Sequence, residues 1–185
     1  MTYHFDIPET DIRMLQEVME NCRKQEYTPE KLCQLQKIID TQYYYWWIND
    51  LKLEEYAKHL FCEQYNQYVS TGRSSICTPF AWAKSGKYIN SFSITSHMGH
   101  NPMVWLIDDS HARGIFSFEG FFSYIDAPEE HVELFIIYCD DFVKDEDGTW
   151  KISDYRLMFT RRIGDQRPET FKAPDDYIPG IWKEI

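Results

Sequence analysis

The stretch His111–Val143, HARGIFSFEGFFSYIDAPEEHVELFIIYCDDFV, decides the fold. It holds two runs rich in aromatic and β-branched residues, His111–Tyr124 and His131–Val143, on either side of Asp126-Ala127-Pro128. Aspartate bonds its own backbone and proline fixes φ, so the break between the runs is a turn. Two long strands joined by a short turn make an antiparallel hairpin. The same pattern continues on both sides. Ser93–Ile107 precedes it across Asp108-Asp109-Ser110, and Thr149–Arg161 follows it across Asp145-Glu146-Asp147-Gly148. These strands exceed the usual length of about five or six residues. Long strands curl rather than lie flat, and a curled sheet backed by helices encloses a cavity.

Upstream, the hydrophobic period changes. Ile12–Arg23 brings Ile12, Leu15, Val18 and Cys22 near one face of a helix. Thr28-Pro29-Glu30 reads as a helix start, with a capping hydroxyl, a proline in the first turn and an acid near the positive end. That second helix carries Leu32, Leu35, Ile39, Tyr43 and Trp46 along one stripe, and Asn49-Asp50 stops or re-caps it. Leu53, Tyr56, Ala57, Leu60 and Phe61 have the spacing of a third helix. Tyr65–Val69 reads as a short strand, Pro79–Asn90 as a weak helix, and the proline-rich segment 164–185 as an extended tail along the surface. Helices first and a meander afterwards predict one α+β domain over residues 1–185. Its curved, antiparallel (mixed) sheet is expected to form a cone, with the N-terminal helices on the concave side closing over a pocket.

A net charge of −11 disfavours nucleic acid, which needs a basic face, and an anionic membrane surface. No apolar run reaches the length of a membrane span, and Met1–Thr10 has no basic region followed by an apolar core. The five cysteines show no close Cys-x-x-Cys pair, which fits a reducing compartment. A cytoplasmic location is expected. Aromatic residues make up 17% of the chain, enough for rings to build a core or a cavity wall.

The segment Ser96-His97-Met98-Gly99-His100-Asn101-Pro102 carries the most chemistry. Two histidines three apart suggest a metal, but on a strand they point to opposite faces, so no metal is expected. Tyr45 and Asp50 flank the end of the second helix, either as core residue and helix cap or as site groups. Glu119 is a lone acid inside an apolar strand, so it is either paired or turned to a polar cavity. Strand alternation predicts Arg161 on the face of Tyr155, Leu157 and Phe159, with Arg156 and Arg162 on the other.

Taken together, Tyr-x4-Asp at 45–50, His-Met-Gly-His-x-Pro at 97–102 and Asp-Gly-x-Trp-x-Ile at 147–152 resemble the SnoaL-like branch of the nuclear-transport-factor-2-like superfamily. The resemblance runs from about Leu32 to Arg162. Within the branch it is similar to the bile-acid 7α-dehydratases and, more distantly, to the scytalone dehydratases. The resemblance implies Tyr45, Asp50 and His97 as catalytic residues. The second catalytic aspartate of the bile-acid enzymes falls at Gly120, beside Glu119, and their arginine falls at Phe159, two residues before Arg161. Glu119 and Arg161 are therefore the weaker members of the implied site.

The chemistry so implied is a cofactor-independent dehydration, or a related isomerisation or cyclisation, of a hydrophobic polycyclic or polyketide-like hydroxy-ketone. His97 would be the base, Asp50 would fix its tautomer and Tyr45 would polarise the carbonyl. Trp46, Trp47, Met98, Phe116, Phe118 and Phe121 are the expected substrate-binding wall. The alternatives are a non-catalytic small-molecule-binding module with the same fold and an accessory subunit of a larger oxygenase. Relatives of this type assemble through the open sheet face, so a homo-oligomer, dimer or trimer, is the expected partner state.

Overall fold

The computed structural model describes residues 1–70, 73–79 and 92–164. The expected helix at Pro79–Asn90, from residue 80 on, and the tail beyond Gly164 lie outside these residues. In chain order the elements are β1 (Thr2–His4), α1 (Glu9–Lys24), α2 (Pro29–Asp50), a 3-10 turn at Glu54–His59, β2 (Phe61–Val69), β3 (Arg73–Cys77), β4 (Phe92–Leu106), β5 (His111–Tyr124), β6 (His131–Lys144) and β7 (Trp150–Ile163). The four long strands fall within a residue or two of the runs expected from the sequence. The expected third helix is the short 3-10 turn, and Phe61 instead opens β2.

The sheet is curved and mixed, with strand order β3-β2-β7-β6-β5-β4, and β1 pairs with β7. All ladders are antiparallel except β2 with β7, which is parallel. This is the α+β cone architecture anticipated from the strand pattern.

The two helices divide between the sheet's faces. Leu35, Ile38, Tyr45, Trp46 and Ile48 of α2 join the main core over the inner face, with Phe116, Phe118, Phe122 and Tyr138. Val18 and Cys22 of α1 join a second cluster with Cys139 and Met158. Cross-strand partners share a face, and Ile137 opposite Met158 alternates with Tyr138 opposite Leu157. The second cluster is therefore on the outer face. The expectation that both N-terminal helices cover the concave side is corrected for α1: its apolar stripe found a second apolar face, one that hydropathy alone does not distinguish from the first. Gln25, just past α1, donates to the Val104 carbonyl at 3.2 Å and accepts from the Leu106 amide at 2.8 Å, pairing the open edge of β4.

Helix α2 starts where Thr28 accepts from the Lys31 amide at 3.3 Å. It ends in a Schellman motif, with Leu53 N–H bonded to Ile48 C=O at 2.8 Å and Lys52 N–H to Asn49 C=O at 3.3 Å. Lys52 holds the left-handed position that usually goes to glycine, at φ 58°.

Candidate functional site

The site starts where the end of α2 meets the middle of β4. Asp50 is the last residue of α2, and His97 lies on β4 opposite Gly120 of β5. One oxygen of Asp50 is 2.5 Å from His97 Nδ1, and the other accepts the His97 backbone N–H at 2.9 Å. The imidazole packs against Phe118 and Phe122, with centroids 5.0 and 5.3 Å away, and only 4% of its side chain is exposed. Burial works to raise the Asp50 carboxyl. The His97 ring, its charge, its backbone N–H and the Thr95 hydroxyl outweigh that and hold the carboxyl below the ordinary range. An ionised Asp50 accepts a proton from Nδ1, and in the neutral ring that tautomer makes Nε2 the acceptor.

Gly99 follows His97 on the same face. A Cβ there would lie 1.6 Å from Trp46 Cζ3, so the indole occupies the space that a side chain would fill. Trp46 also meets Phe116, Phe118 and Tyr138, with centroids 5.9 to 6.1 Å away. Phe118 and Tyr138 then connect the His97 end of the inner face to a cluster of phenols. The Tyr45 hydroxyl bonds the Tyr155 hydroxyl, and the Tyr45 ring packs edge-on against Tyr138 at 6.3 Å. All three rings are buried. Burial pushes the Tyr45 hydroxyl up to about 12 and those of Tyr138 and Tyr155 well above the ordinary value, so all three are neutral donors at pH 7. Asp140 lies beside them with no exposure. One of its oxygens accepts the Arg156 backbone N–H at 2.8 Å, and the other has no partner among the described residues. Burial raises this carboxyl well above the ordinary range, towards its neutral form.

The expected residues therefore separate. Asp50 and His97 meet directly. Tyr45 is on the same inner face, with its hydroxyl turned to Tyr155 rather than to His97. Trp46, Phe116 and Phe118 pack in the core on that face. Trp47 is on the solvent side of α2, 60% exposed. Met98, exposed, is opposite Glu119, also exposed, and Glu119 is opposite Phe135 on the outer face. Phe121 is outward too, stacked on His131 at 4.9 Å.

Arg161 is turned by a β-bulge. Ile136 pairs with Phe159 but Phe135 pairs with Arg161, so one extra residue, Thr160, is inserted in β7. Every side chain beyond it changes face. The Arg161 guanidinium is 5.4 Å from the outer Phe135 ring, while Arg162 faces inward over Tyr3 at 4.2 Å. The expected placement of Trp47, Met98, Phe121, Glu119 and Arg161 around one pocket is thus corrected. Strand alternation carries Met98, Glu119 and Phe121 away from His97, helix phase carries Trp47, and the bulge at Thr160 carries Arg161.

The two histidines do point apart. His100 is opposite Ser117 on the outer face, and the bulge at Asn101, with φ 50°, comes after both. No group of three or more potential metal ligands occurs among the described residues. Among those residues, no helix is long and apolar enough to cross a membrane. Sequence reading missed Tyr138, Tyr155 and Asp140 as a cluster. The signal was there in the alternation Leu134, Ile136, Tyr138, Asp140, which puts an acid on an apolar face.

The family model described as "SnoaL-like domain" matches residues 30–156. No protein among the curated ones matches the chain. Among solved structures, the chain is similar to a Novosphingobium aromaticivorans DSM 12444 protein called "Putative Scytalone Dehydratase". Identity is 20% and the TM-score is 0.67, over 75% of this chain and 91% of that one. It is also similar to hexachlorocyclohexane dehydrochlorinase LinA-type3 from Novosphingobium barchaimii LL02. There identity is 13% and the TM-score 0.63, over 78% of this chain and 97% of that one. At these identities the structures share the fold.

Proposed function

The chain belongs to the SnoaL-like domain family, and from that premise we propose that it is a cofactor-independent lyase removing water from a hydrophobic hydroxy-ketone. The observation that carries the reading is the double grip of Asp50 on His97, at 2.5 and 2.9 Å, on an imidazole packed against Phe118 and Phe122. His97 Nε2 takes the proton on the carbon beside the carbonyl. The C–H electron pair becomes the enolate, and the enolate expels the β-hydroxyl as the double bond forms. The imidazolium returns its proton to the departing oxygen, which leaves as water. Asp50 stabilises the imidazolium while it lasts. A carbonyl reaching the phenol cluster would be polarised by the neutral hydroxyls of Tyr45, Tyr138 and Tyr155.

The names dehydratase and dehydrochlorinase among proteins of the same fold both describe elimination, which supports this reaction class. The rings of Trp46, Phe116 and Phe118 favour a substrate body that is apolar and cyclic. A binding module is the second reading, favoured by how fully Trp46 occupies the space over Gly99. The deciding experiment follows conjugated-enone absorbance over a panel of steroid and polyketide β-hydroxy-ketones, with His97→Ala beside the natural chain. Turnover abolished by the substitution supports the lyase. Turnover that survives removes His97 as the base. Ligands that raise the melting temperature without any turnover select the binding module.

A further inference from the structure

Lys52 combines two features that a lysine at a helix end does not normally show together. It occupies the left-handed C′ position of the Schellman motif, at φ 58°, where glycine carries no steric cost and lysine does. Its ammonium also donates to the Thr95 hydroxyl at 3.3 Å. Thr95 is two residues before His97 on β4 and shares its face, and its hydroxyl is one of the groups that draw the Asp50 carboxyl down. The order from outside inward is ammonium, hydroxyl, carboxylate, imidazole.

We propose that Lys52 is a positioning residue that, through Thr95, sets how readily His97 holds a proton; this rests on the reading of His97 as the base. Among the described residues, the charged group that touches His97 is Asp50, at the end of α2, and Lys52 stands one hydroxyl further out. Its β5 neighbours, Phe118 and Phe122, are apolar, and Glu119 is turned to the other face. The two charges act in opposite directions. Asp50 favours the imidazolium and orients the ring. The Lys52 cation disfavours a second positive charge nearby. Its hydrogen bond to Thr95 also orients that hydroxyl's proton toward Asp50, which weakens the carboxylate's hold on the ring proton. Lys52 thereby favours the unprotonated Nε2 while both Asp50 contacts to His97 stay in place. This gives a functional reason for a strained lysine where glycine would fit better.

The test is an NMR titration of the His97 ring in the full chain, for the natural protein and for Lys52→Met, Lys52→Gly, Lys52→Arg and Thr95→Val. The inference expects the His97 midpoint to rise by about half a pH unit in the Met and Gly variants and to stay in place in Lys52→Arg. Thr95→Val is expected to raise it as well. Lys52→Gly suits the left-handed position, so its melting temperature should hold or increase while the midpoint moves. A midpoint unmoved in the Met and Gly variants overturns the inference, as does an equal shift in Lys52→Arg. A fall in melting temperature with no shift reduces Lys52 to a cation on a helix end. The midpoint is read without turnover, so failure of the lyase reading, seen in His97→Ala, stays distinguishable from failure of this one.

Discussion

Asp50 uses both oxygens of one carboxylate on one residue, Oδ1 on the His97 ring at 2.5 Å and Oδ2 on its backbone N–H at 2.9 Å. The last residue of α2 therefore fixes both the position of β4 and the tautomer of the base. Asp50→Asn keeps the size and removes the charge. The amide presents a donor where the ring needs an acceptor, so the proton moves to Nε2 and the base is lost. We expect turnover to fall about 100-fold or more, in kcat rather than KM. Steady-state kinetics on any substrate found in the panel checks this, and a loss of only a few-fold would sink the assignment.

The half-buried Asp50 and the buried Asp140 give opposite pH signatures. Asp50 sits below its ordinary value of 3.8, so its stabilising contribution is complete above that pH and is lost as pH falls through the lower, folded value. Asp140 sits well above 3.8, so its contribution is complete below that pH and is lost as pH rises towards the folded value. Urea unfolding of Asp140→Asn should show the variant gaining on the natural chain by up to about 1.4 kcal/mol per pH unit above pH 4. A gap independent of pH would show that Asp140 is ionised in the fold.

Gly99→Ala places a methyl 1.6 Å from Trp46 Cζ3, in the ring system itself. Both the β4 backbone and a fully packed indole would have to move. We expect a loss of about 2–3 kcal/mol, measured by chemical denaturation. Trp46→Leu in the same chain should recover part of that loss, since it opens the space the methyl needs. A neutral Gly99→Ala would contradict the placement of Trp46.

Glu119 and Arg161 are on the outer face, away from His97. Glu119→Gln should leave both stability and turnover unchanged within error. Arg161→Gln should cost about 0.5–1 kcal/mol through its contact with Phe135 and leave turnover unchanged. A strong catalytic defect in either would mean that the two faces communicate through assembly with a second chain.

How much of this was legible beforehand depended on the range of the signal. The four long strands carried their own boundaries in the turn residues Asp108, Pro128 and Gly148, and the helix start at Thr28 was local chemistry. The Asp50–His97 contact spans 47 positions and was available only through the resemblance. Three things escaped for physical reasons. The stripe of α1 matched either face of a sheet that is apolar on both. Arg161 was misplaced because one inserted residue, Thr160, reverses the alternation, and a bulge there has no distinctive composition. The phenol cluster joins Tyr45 to Tyr155 across 110 positions, and each tyrosine alone reads as ordinary core.

Strand β7 is late in the chain but central in the sheet, with β6 on one side, β2 in parallel on the other and β1 against its end. During synthesis, β2 and α2 emerge long before their partner exists. Until Trp150–Ile163 follows, Tyr45 has no Tyr155, the Trp150 indole is not there to donate to Gln34, and the carboxyl of Asp140 has no Arg156 amide. Assembly is thus ordered by the ribosome. The helix that carries half of the site must wait, its apolar side uncovered, for the strand that completes the wall, so closure of the inner face follows synthesis of β7.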